Sequence, residues 1–445
     1  MKFKSFFCLP LLLATIPVLA DLDQLKLEYH GAGWVQTGRV ESSFTPPKEN
    51  AGNAYEKNWV GQSGGLFAIH TAIDEHWDGE LGLGTVLVQL ARGSKGNSNK
   101  WYPFWVSFVD EARITHTSHL FSNEDELKVN MGTFHYGYNP DSKNMGQYLV
   151  HGYVYPGTLV TNFTGPLGVN QAISGLQAAY TAGGFKNDLN LQLETDDKPL
   201  YDISISDVVG WRMHPAFEIG AGVNFYRVLP TNKKATSPGR DCDANFLGVN
   251  AIGATDSPCF IIEKDTAGVP IDTVLASLGG IKLMGRFRLD PKVIFGAGGE
   301  GSMLGADDLV IYGEMAVLGV KSYPRFYDNI LRRIPVMMGI NLPGFKLFNW
   351  SVEGEYYATK NSSNNLAAKN GSPIPMKESD AINNARDDWK WSLNASKVLG
   401  GHVALMGQVA NDHLRLGGNH DEDTGMEAMR TPIDWYWTTK IAYFF

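Results

Sequence analysis

The pentapeptide Gly61-Gln62-Ser63-Gly64-Gly65 fits the spacing Gly-x-Ser-x-Gly that carries the nucleophile of many hydrolases. In those enzymes the serine stands on a sharp turn between an apolar strand and a helix. Here a polar stretch precedes Ser63 and the apolar ladder Leu66 to Ile73 follows it. The spacing therefore predicts the start of a glycine-rich strand. We find no Ser, His and acid arrangement that predicts a catalytic residue, and we expect no enzyme.

The eleven histidines are spread along the chain without the short spacings typical of metal ligands. The sequence accordingly predicts no metal site and no cofactor. Asp412 and the run Asp421 to Asp423 form an acidic segment that could hold Ca²⁺ or bridge lipopolysaccharide through divalent ions, but a solvated acidic loop is the simpler interpretation.

Charged residues recur at every second position of apolar segments, which places them on one face of an extended strand. If the apolar face touches lipid, the charged face lines a water-filled lumen. The predicted pore-lining residues are Arg113, Lys128, Arg212, Lys282, Arg286, Arg288, Glu111, Glu218, Glu314, Glu353 and Glu355. Either opposite signs on facing walls create a transverse field that favours small polar solutes, or these charges pair across neighbouring strands.

The elements that position these residues alternate with period 2 almost throughout, and helical periodicity is nearly absent. Short turns alternate with long polar connections, as expected of a barrel with one end at the periplasm and the other outside. We predict an all-β, transmembrane, antiparallel up-and-down barrel of about sixteen strands, with eighteen as the second choice. The predicted centres are Tyr29, Phe67, Thr85, Phe108, Met131, Ala178, Leu191, Ile205, Ala221, Leu283, Met315, Met338, Trp350, Leu393, Leu405 and Thr439.

The N-terminus carries Lys2 and Lys4 before an apolar run that ends at Ala20. This pattern predicts a signal peptide at 1–20 and a single barrel domain at 21–445, with a single-pass anchor as the alternative. Loss of the two lysines would change the formal net charge from −9 to −11. An acidic balance argues against nucleic acid as a partner. After residue 20 there is no apolar run of about 18 residues, so a membrane location requires a closed barrel.

Two cysteines, Cys242 and Cys259, remain after the predicted leader, in a polar stretch between Pro230 and Pro270. They suit a disulfide in an oxidising compartment. Two buried free thiols are the alternative.

Aromatic residues are frequent near the predicted strand ends, for example Trp389 and Trp435. In a barrel they form interfacial girdles, and their lipid-facing parity favours this over an inward stacking track for sugars.

The final strand carries Trp437, Ile441, Tyr443 and the terminal Phe445 at alternating positions. This pattern resembles the C-terminal signature of bacterial outer-membrane proteins. The resemblance implies a location in the bacterial outer membrane, contact with its lipid and lipopolysaccharide, and recognition of these four residues by the barrel-assembly machinery.

The plan of the chain also resembles that of a general porin: about sixteen strands and a long third outside connection after the fifth. In that family this connection folds into the barrel and narrows the channel. The resemblance implies a constriction in Asn139 to Gln171, near Tyr138, Asn139, Asp141 and Lys143. It also implies small polar solutes as permeants and, by analogy, a homotrimer.

The sequence thus predicts a porin for passive diffusion of small hydrophilic solutes. One alternative is a channel specific for saccharides or organic acids, which an inward aromatic track with matched polar residues would favour. Another is a surface-binding adhesin barrel whose long loops, such as Pro230 to Thr273, hold a ligand.

Overall fold

The structure is a computed structural model. It describes residues 26–43, 56–57, 59–94, 98–150, 171–193, 201–229, 260–264, 270–275, 280–297, 302–320, 331, 334–357, 388–412, 414, 429 and 431–445. For residues 88–94, 98–104, 106, 171, 260–264 and 270–275 it describes the backbone alone. The predicted leader and both cysteines lie outside the described residues.

Strands make up most of the described chain. They are β1 (Lys26–Ser42), β2 (Trp59–Ala72), β3 (Trp77–Ser94), β4 (Ser98–Ser118), β5 (Asp125–Tyr136), β6 (Gln171–Ala182), β7 (Phe185–Leu193), β8 (Ile203–His214), β9 (Phe217–Leu229), β10 (Phe260–Lys264), β11 (Pro270–Leu275), β12 (Gly280–Leu289), β13 (Ile311–Leu318), β14 (Val336–Leu342), β15 (Asn349–Tyr356), β16 (Trp389–Leu399), β17 (Val403–Asn411) and β18 (Trp435–Phe444). One short helix, α1 (Pro291–Phe295), precedes β13. Within the described ranges, no helix has the length and apolarity needed to cross a membrane.

Sixteen of these strands form one closed antiparallel barrel. Each pairs with its neighbours in sequence, except that β9 pairs directly with β12 across a separate β10–β11 hairpin. The barrel closes where β1 pairs with β18, and the backbones of Gly31 and Phe445 exchange hydrogen bonds of 3.0 and 3.1 Å at its edge. Closure leaves no unpaired strand edge, which is the condition for a sheet to cross lipid.

The two ends of the barrel differ in their connections. At the end that we name the short-turn end, turns of a few residues join the strands, for example Gly400 and Gly401, whose positive φ angles of 57° and 77° suit a tight hairpin. A longer connection there, 290–310, contains α1, which begins after the capping residue Asp290 and ends at Gly296. The other end, the long-loop end, carries the longer connections.

Alternation gives the barrel an apolar outside and a largely polar inside. On β18, Trp435, Ile441 and Tyr443 are exposed on the outer surface, whereas Thr438 and Lys440 point inward and are buried. The other strands repeat this division, so the exposed surface is rich in large apolar side chains. A protein whose surface is apolar and whose interior is polar is suited to lipid outside and water inside.

The predicted fold class and strand number are confirmed by this topology. All sixteen predicted strand centres fall inside barrel strands. The β10–β11 hairpin was not predicted, because it lies within a connection and is not part of the alternation of short turns and long connections that indicated the barrel strands. Ser63 lies in the middle of β2 between Val35 and Leu87 of its neighbours, so the strand–turn–helix context of a nucleophile elbow does not exist there.

Candidate functional site

The first part of the connection after β5 folds into the barrel. Its described part, residues 137–150, is named here the inward loop. Tyr138, Met145, Tyr148 and Leu149 of this loop are buried against inward-facing side chains of the wall, among them Tyr312. The loop therefore packs on the inner wall and occupies part of the lumen.

Glu314 of β13 anchors one half of the inward loop. Its carboxylate accepts hydrogen bonds from the Tyr138 hydroxyl at 2.6 Å and the Asn139 amide at 3.1 Å. It also accepts from the backbone N–H groups of Gln147 and Tyr148, both at 2.9 Å. Four donors around one buried carboxylate compensate its loss of hydration and fix the two ends of the loop together.

Glu353 of β15 anchors the loop tip. Its oxygens accept from three consecutive backbone N–H groups, those of Lys143 at 2.5 Å, Asn144 at 2.9 Å and Met145 at 3.2 Å. The Tyr312 hydroxyl donates to the same carboxylate at 2.9 Å. Successive N–H groups directed at one anion form the kind of backbone cradle that binds anions elsewhere in proteins.

Further contacts tie the loop to both sides of these anchors. Asp141 pairs with Arg288 of β12 at 2.9 Å between the Arg Nε and a carboxylate oxygen. Beyond them, the Asn224 amide of β9 donates to the Leu149 carbonyl at 2.7 Å, and the Asn144 amide donates to Asp412 after β17. The inward loop thus spans the inner wall from β9 to the end of β17.

The local sequence permits this tight path. Gly146 has a φ of +84°, and a Cβ there would lie 2.6 Å from Met337 Cε and 3.1 Å from a Glu314 oxygen. Glycine is the residue that takes this conformation without steric cost. Burial, together with the neighbouring Glu314 carboxylate, raises the pKa of the Tyr138 hydroxyl well above its usual value, so that hydroxyl remains a donor at neutral pH.

Three predicted pore-lining carboxylates have a different environment from the one expected. Glu314, Glu353 and Glu355 point inward, as the alternation predicted, but they are 3%, 0% and 1% exposed beneath the inward loop. The Tyr148 hydroxyl donates to Glu355 at 2.7 Å. The structure therefore places these carboxylates between the loop and the wall, and their role in lining the pore stays a prediction.

Lys282 is also covered, at 1% exposure, with its ammonium 5.5 Å from the Tyr226 ring centre. Arg286 is buried and pairs with Glu218 at 2.6 Å. Arg212 lies 3.6 Å from the same carboxylate. These inward cations are therefore matched by an acid or an aromatic ring on neighbouring strands.

A second group of wall charges lies on β3 to β5. Arg113 pairs with Glu80 at 2.7 Å and with Glu111 at 3.0 Å. Lys128 pairs with Glu126 at 2.9 Å and is more exposed. Of the two interpretations of the wall charges, the geometry of these pairs matches pairing along the wall. The role of these residues in permeation stays a prediction.

The four predicted constriction residues divide into two kinds. Tyr138 and Asn139 face the wall and hold the loop, and Asp141 is engaged by Arg288. Lys143 is exposed, and among the described residues no carboxylate lies within ion-pair distance of its ammonium. Lys143 is therefore the free charge that the described loop presents to the lumen.

Aromatic side chains point inward at several positions, but they are covered. Tyr148, Tyr226, Tyr312 and Tyr357 are at most 1% exposed in the cluster beneath the inward loop. Trp34 is 3% exposed in a second inward cluster near the short-turn end, with Val86, Ala404, Ala442 and partly buried neighbours. The described part of the wall therefore offers no exposed aromatic track.

The inward apolar cluster around Trp34 was not predicted, because alternation alone assigned the inner face to polar residues. Asp412 was also misjudged. It is fully buried and accepts from the Tyr436 hydroxyl at 2.8 Å and the Gln408 amide at 2.8 Å. Both of these donors are inward-facing side chains, so Asp412 also lies inside the barrel. The interpretation of Asp412 as part of a solvated loop is therefore wrong.

A cavity of about 290 Å³ lies between the inward loop and the connection before β13. Its walls come mainly from β14 to β18, and most of the polar side chains around it are amides and hydroxyls. They include Gln36, Asn341, Asn349, Asn394, Gln408 and Thr438. Lys143 and Lys440 also line it, as do Asp307 and Asp308. This volume is near the lower limit of about 300–1,000 Å³ typical of small-molecule sites.

The predicted assembly signal lies on the outer surface at the barrel seam. Ile441, Tyr443 and Phe445 are exposed, and Trp437 packs edge-on against Trp59 with ring centres 5.7 Å apart. Trp389, Trp391 and Trp435 are also exposed outside, where girdle residues belong. Recognition by an assembly machinery stays a prediction.

Comparison with solved structures finds barrels of similar plan. A mutant of the Rh. blastica porin aligns at a TM-score of 0.41 and 10% identity, covering 94% of this chain and 100% of that one. Salmonella typhi OmpF, in complex with daunomycin, gives 0.46 and 10%, covering 95% and 99%. Pseudomonas putida OprB at high pH gives 0.48 and 10%, covering 94% of each chain. No family model matches the sequence, and no curated protein matches it. At this identity and these TM-scores, the likenesses concern the barrel fold and not the solute.

Proposed function

We propose that this chain is an outer-membrane porin, a non-enzymatic channel through which small hydrophilic solutes diffuse passively. The observation that carries the proposal is a closed sixteen-stranded barrel with an apolar outer face and an inner wall of polar side chains, narrowed by a loop anchored inside it. Closure and an apolar outer face suit lipid, and a polar inner face suits water.

The anchoring of the inward loop supports a passage of fixed width. A loop held by Glu314 and Glu353 through seven hydrogen bonds to its own groups cannot swing freely. Most of its bonds use backbone N–H groups, so the loop is positioned irrespective of several of its side chains. A constriction of this kind limits solute size without a moving part.

Planar-bilayer recording of the purified, detergent-folded chain tests the proposal. We expect steady current steps whose size rises linearly with voltage and with salt concentration. A correctly folded barrel that gives no current steps would contradict the channel function and would favour a surface-binding barrel.

A channel specific for saccharides or organic acids is the second candidate, and the cavity below the inward loop favours it. Uncharged amides and hydroxyls supply both donors and acceptors to a hydroxylated solute. The covered aromatic rings argue against a sliding track, so selectivity would arise from hydrogen bonds in the cavity. Current steps that one sugar or acid blocks at low concentration would favour this candidate over the general pore.

We further infer that residues 1–20 direct export and are removed, and that residues 21–445 form the mature barrel in the bacterial outer membrane. Lipid and lipopolysaccharide would contact its apolar band, and the assembly machinery would read Trp437, Ile441, Tyr443 and Phe445. A homotrimer and a bond between Cys242 and Cys259 remain proposals that mass measurement of the purified, unreduced protein would test.

A further inference from the structure

The cavity below the inward loop is lined by neutral polar groups and by two charged side chains that no protein group pairs with. Lys143 comes from the loop, and Asp307 comes from the connection at the short-turn end. Among the described residues neither side chain has a hydrogen-bond or ion-pair partner. Asp308, by contrast, accepts from the backbone N–H groups of Gly305, Gly344 and Phe345, at 2.7, 3.1 and 3.2 Å. Its charge is therefore satisfied by the protein.

Neutral amides complete the lining of the cavity, among them those of Asn341, Asn349 and Asn394. The Oδ1 of Asn341 has no hydrogen-bond partner among the described residues, but protein atoms enclose it, so a solute in the cavity does not reach it. Asp307 is exposed, so its carboxylate is an acceptor that a solute hydroxyl can reach.

The inward loop contributes one ammonium group, that of Lys143, to the cavity. The backbone N–H of Lys143 is fixed by Glu353 at 2.5 Å, which places the base of the side chain while its ammonium stays exposed. Lys440 lines the same cavity, with its ammonium 5.8 Å from the Trp34 ring centre. The ammonium of Lys143 suits a carboxylate of a solute, and the free carboxylate of Asp307 suits a hydroxyl donor.

We propose that this cavity is a binding subsite for a small hydroxylated monocarboxylate of the sugar-acid type. Lys143 pairs with the carboxylate of the solute, and Asp307 accepts from one of its hydroxyls. The inference rests on the proposed channel function and narrows its solute class. A volume of about 290 Å³ admits one sugar-sized ring rather than an oligomer.

Three probes separate the contributions of the carboxylate and of the hydroxyls to the binding affinity. Galacturonate carries both the ring hydroxyls and the carboxylate, galactose carries only the hydroxyls, and propionate carries only the carboxylate. Affinity is measured by concentration-dependent block of the channel current and, independently, by titration calorimetry of the folded protein in detergent. We expect galacturonate to bind about tenfold or more tightly than either of the other probes, since a hydrogen bond to a charged group contributes about that factor.

The variants test the assigned contacts. Lys143→Gln is expected to weaken galacturonate about tenfold and to leave galactose within twofold, and Lys143→Arg is expected to restore most of the affinity. Asp307→Asn is expected to weaken both sugars, by about threefold to tenfold, because an amide oxygen is a weaker acceptor for a hydroxyl than a carboxylate. Lys128→Gln is the matched control, because it removes the same charge from an inward position outside the cavity.

The outcomes are distinguishable. Equal binding of galactose and galacturonate, or equal losses in the Lys143→Gln and Lys128→Gln variants, would overturn the assigned site. A conducting channel to which no probe binds would overturn the site and leave the porin proposal standing. Binding by calorimetry in a barrel that conducts no current would support the site and overturn the channel function.

Discussion

Replacement of Glu353 by glutamine should release the tip of the inward loop. One carboxylate oxygen accepts from Lys143 N and the Tyr312 hydroxyl, and the other accepts from the backbone N–H groups of Asn144 and Met145. Glutamine keeps one accepting oxygen but presents an NH₂ group to the other two donors. The three backbone N–H groups can only donate and they contact both oxygens, so neither orientation of the amide satisfies all of them; the hydroxyls of Tyr312 and of Ser392, which lies 3.5 Å from the carboxylate, can turn to accept.

The magnitude follows from the bonds lost. In the more favourable orientation of the amide, one bond from a backbone N–H to a charged acceptor is lost, so the docked tip loses about 1.5–3 kcal/mol. At 1.4 kcal/mol per tenfold, the open population of the tip rises by a factor of about 10 to 10². Opening on that scale exposes the amides of residues 143–145 to solvent.

Amide hydrogen exchange of the folded barrel, followed on a peptide that covers the loop tip, measures this opening directly. Bilayer recording of the same variant should show faster fluctuations of the open-channel current. Glu80→Gln is the matched control, because Glu80 also points inward and pairs with Arg113 but makes no contact with the inward loop. Less than a tenfold change in exchange, or an equal change in the Glu80→Gln variant, would refute the anchoring role of Glu353.

Three further predictions follow from the same structure. Gly146→Ala should destabilise the docked inward loop by about 1–3 kcal/mol, because a non-glycine residue at φ +84° is strained and its Cβ is crowded. Faster hydrogen exchange of the loop amides measures this effect. Gly401→Ala is the control, because Gly401 also has a positive φ but has open space around it, and it should leave loop exchange unchanged. Phe445→Ala should lower the amount of barrel assembled in the outer membrane, whereas Phe295→Ala, an exposed apolar residue at the same end, should not; equal amounts would remove Phe445 from the assembly signal. Exchange of Arg286 and Arg288 for Glu should shift the reversal potential in a salt gradient toward cation preference, and an unchanged potential would remove both from the permeation path.

The alternation of side chains was enough to predict the barrel. A period of 2 fixes the face on which each residue lies, so Thr439 and its fifteen counterparts could be placed on strands, and the inward direction of Glu314 and Glu353 could be read from the same pattern. The alternation gives no information about which other segment of the chain packs over a given face of a strand. The sequence therefore predicted water above Glu314 and Glu353, where the structure has the inward loop.

The anchoring of the loop was hidden for a physical reason. Most of its bonds to the two glutamates come from backbone N–H groups, which every residue except proline carries, so the loop sequence gives little sign of them. One signal was available. Three inward acids, Glu314, Glu353 and Glu355, lie on β13 and β15, and the described part of the loop has Asp141 as its only acidic residue. A donor-rich loop next to an acceptor-rich wall predicts docking.

The pairing of wall charges bears on how such a channel selects its solutes. Glu314 and Glu353 accept hydrogen bonds from the inward loop. Arg113, Arg286 and Arg288 each form an ion pair with a nearby carboxylate. Paired charges a few ångströms apart produce fields that fade over a distance of about 8–10 Å in physiological salt. The transverse electric field expected from the sequence is therefore weak. Discrimination between solutes then depends on the width of the passage and on the unpaired charged or polar groups. Because Lys143 is such a group and sits on the anchored loop, its substitution should change solute preference more than substitution of any paired arginine.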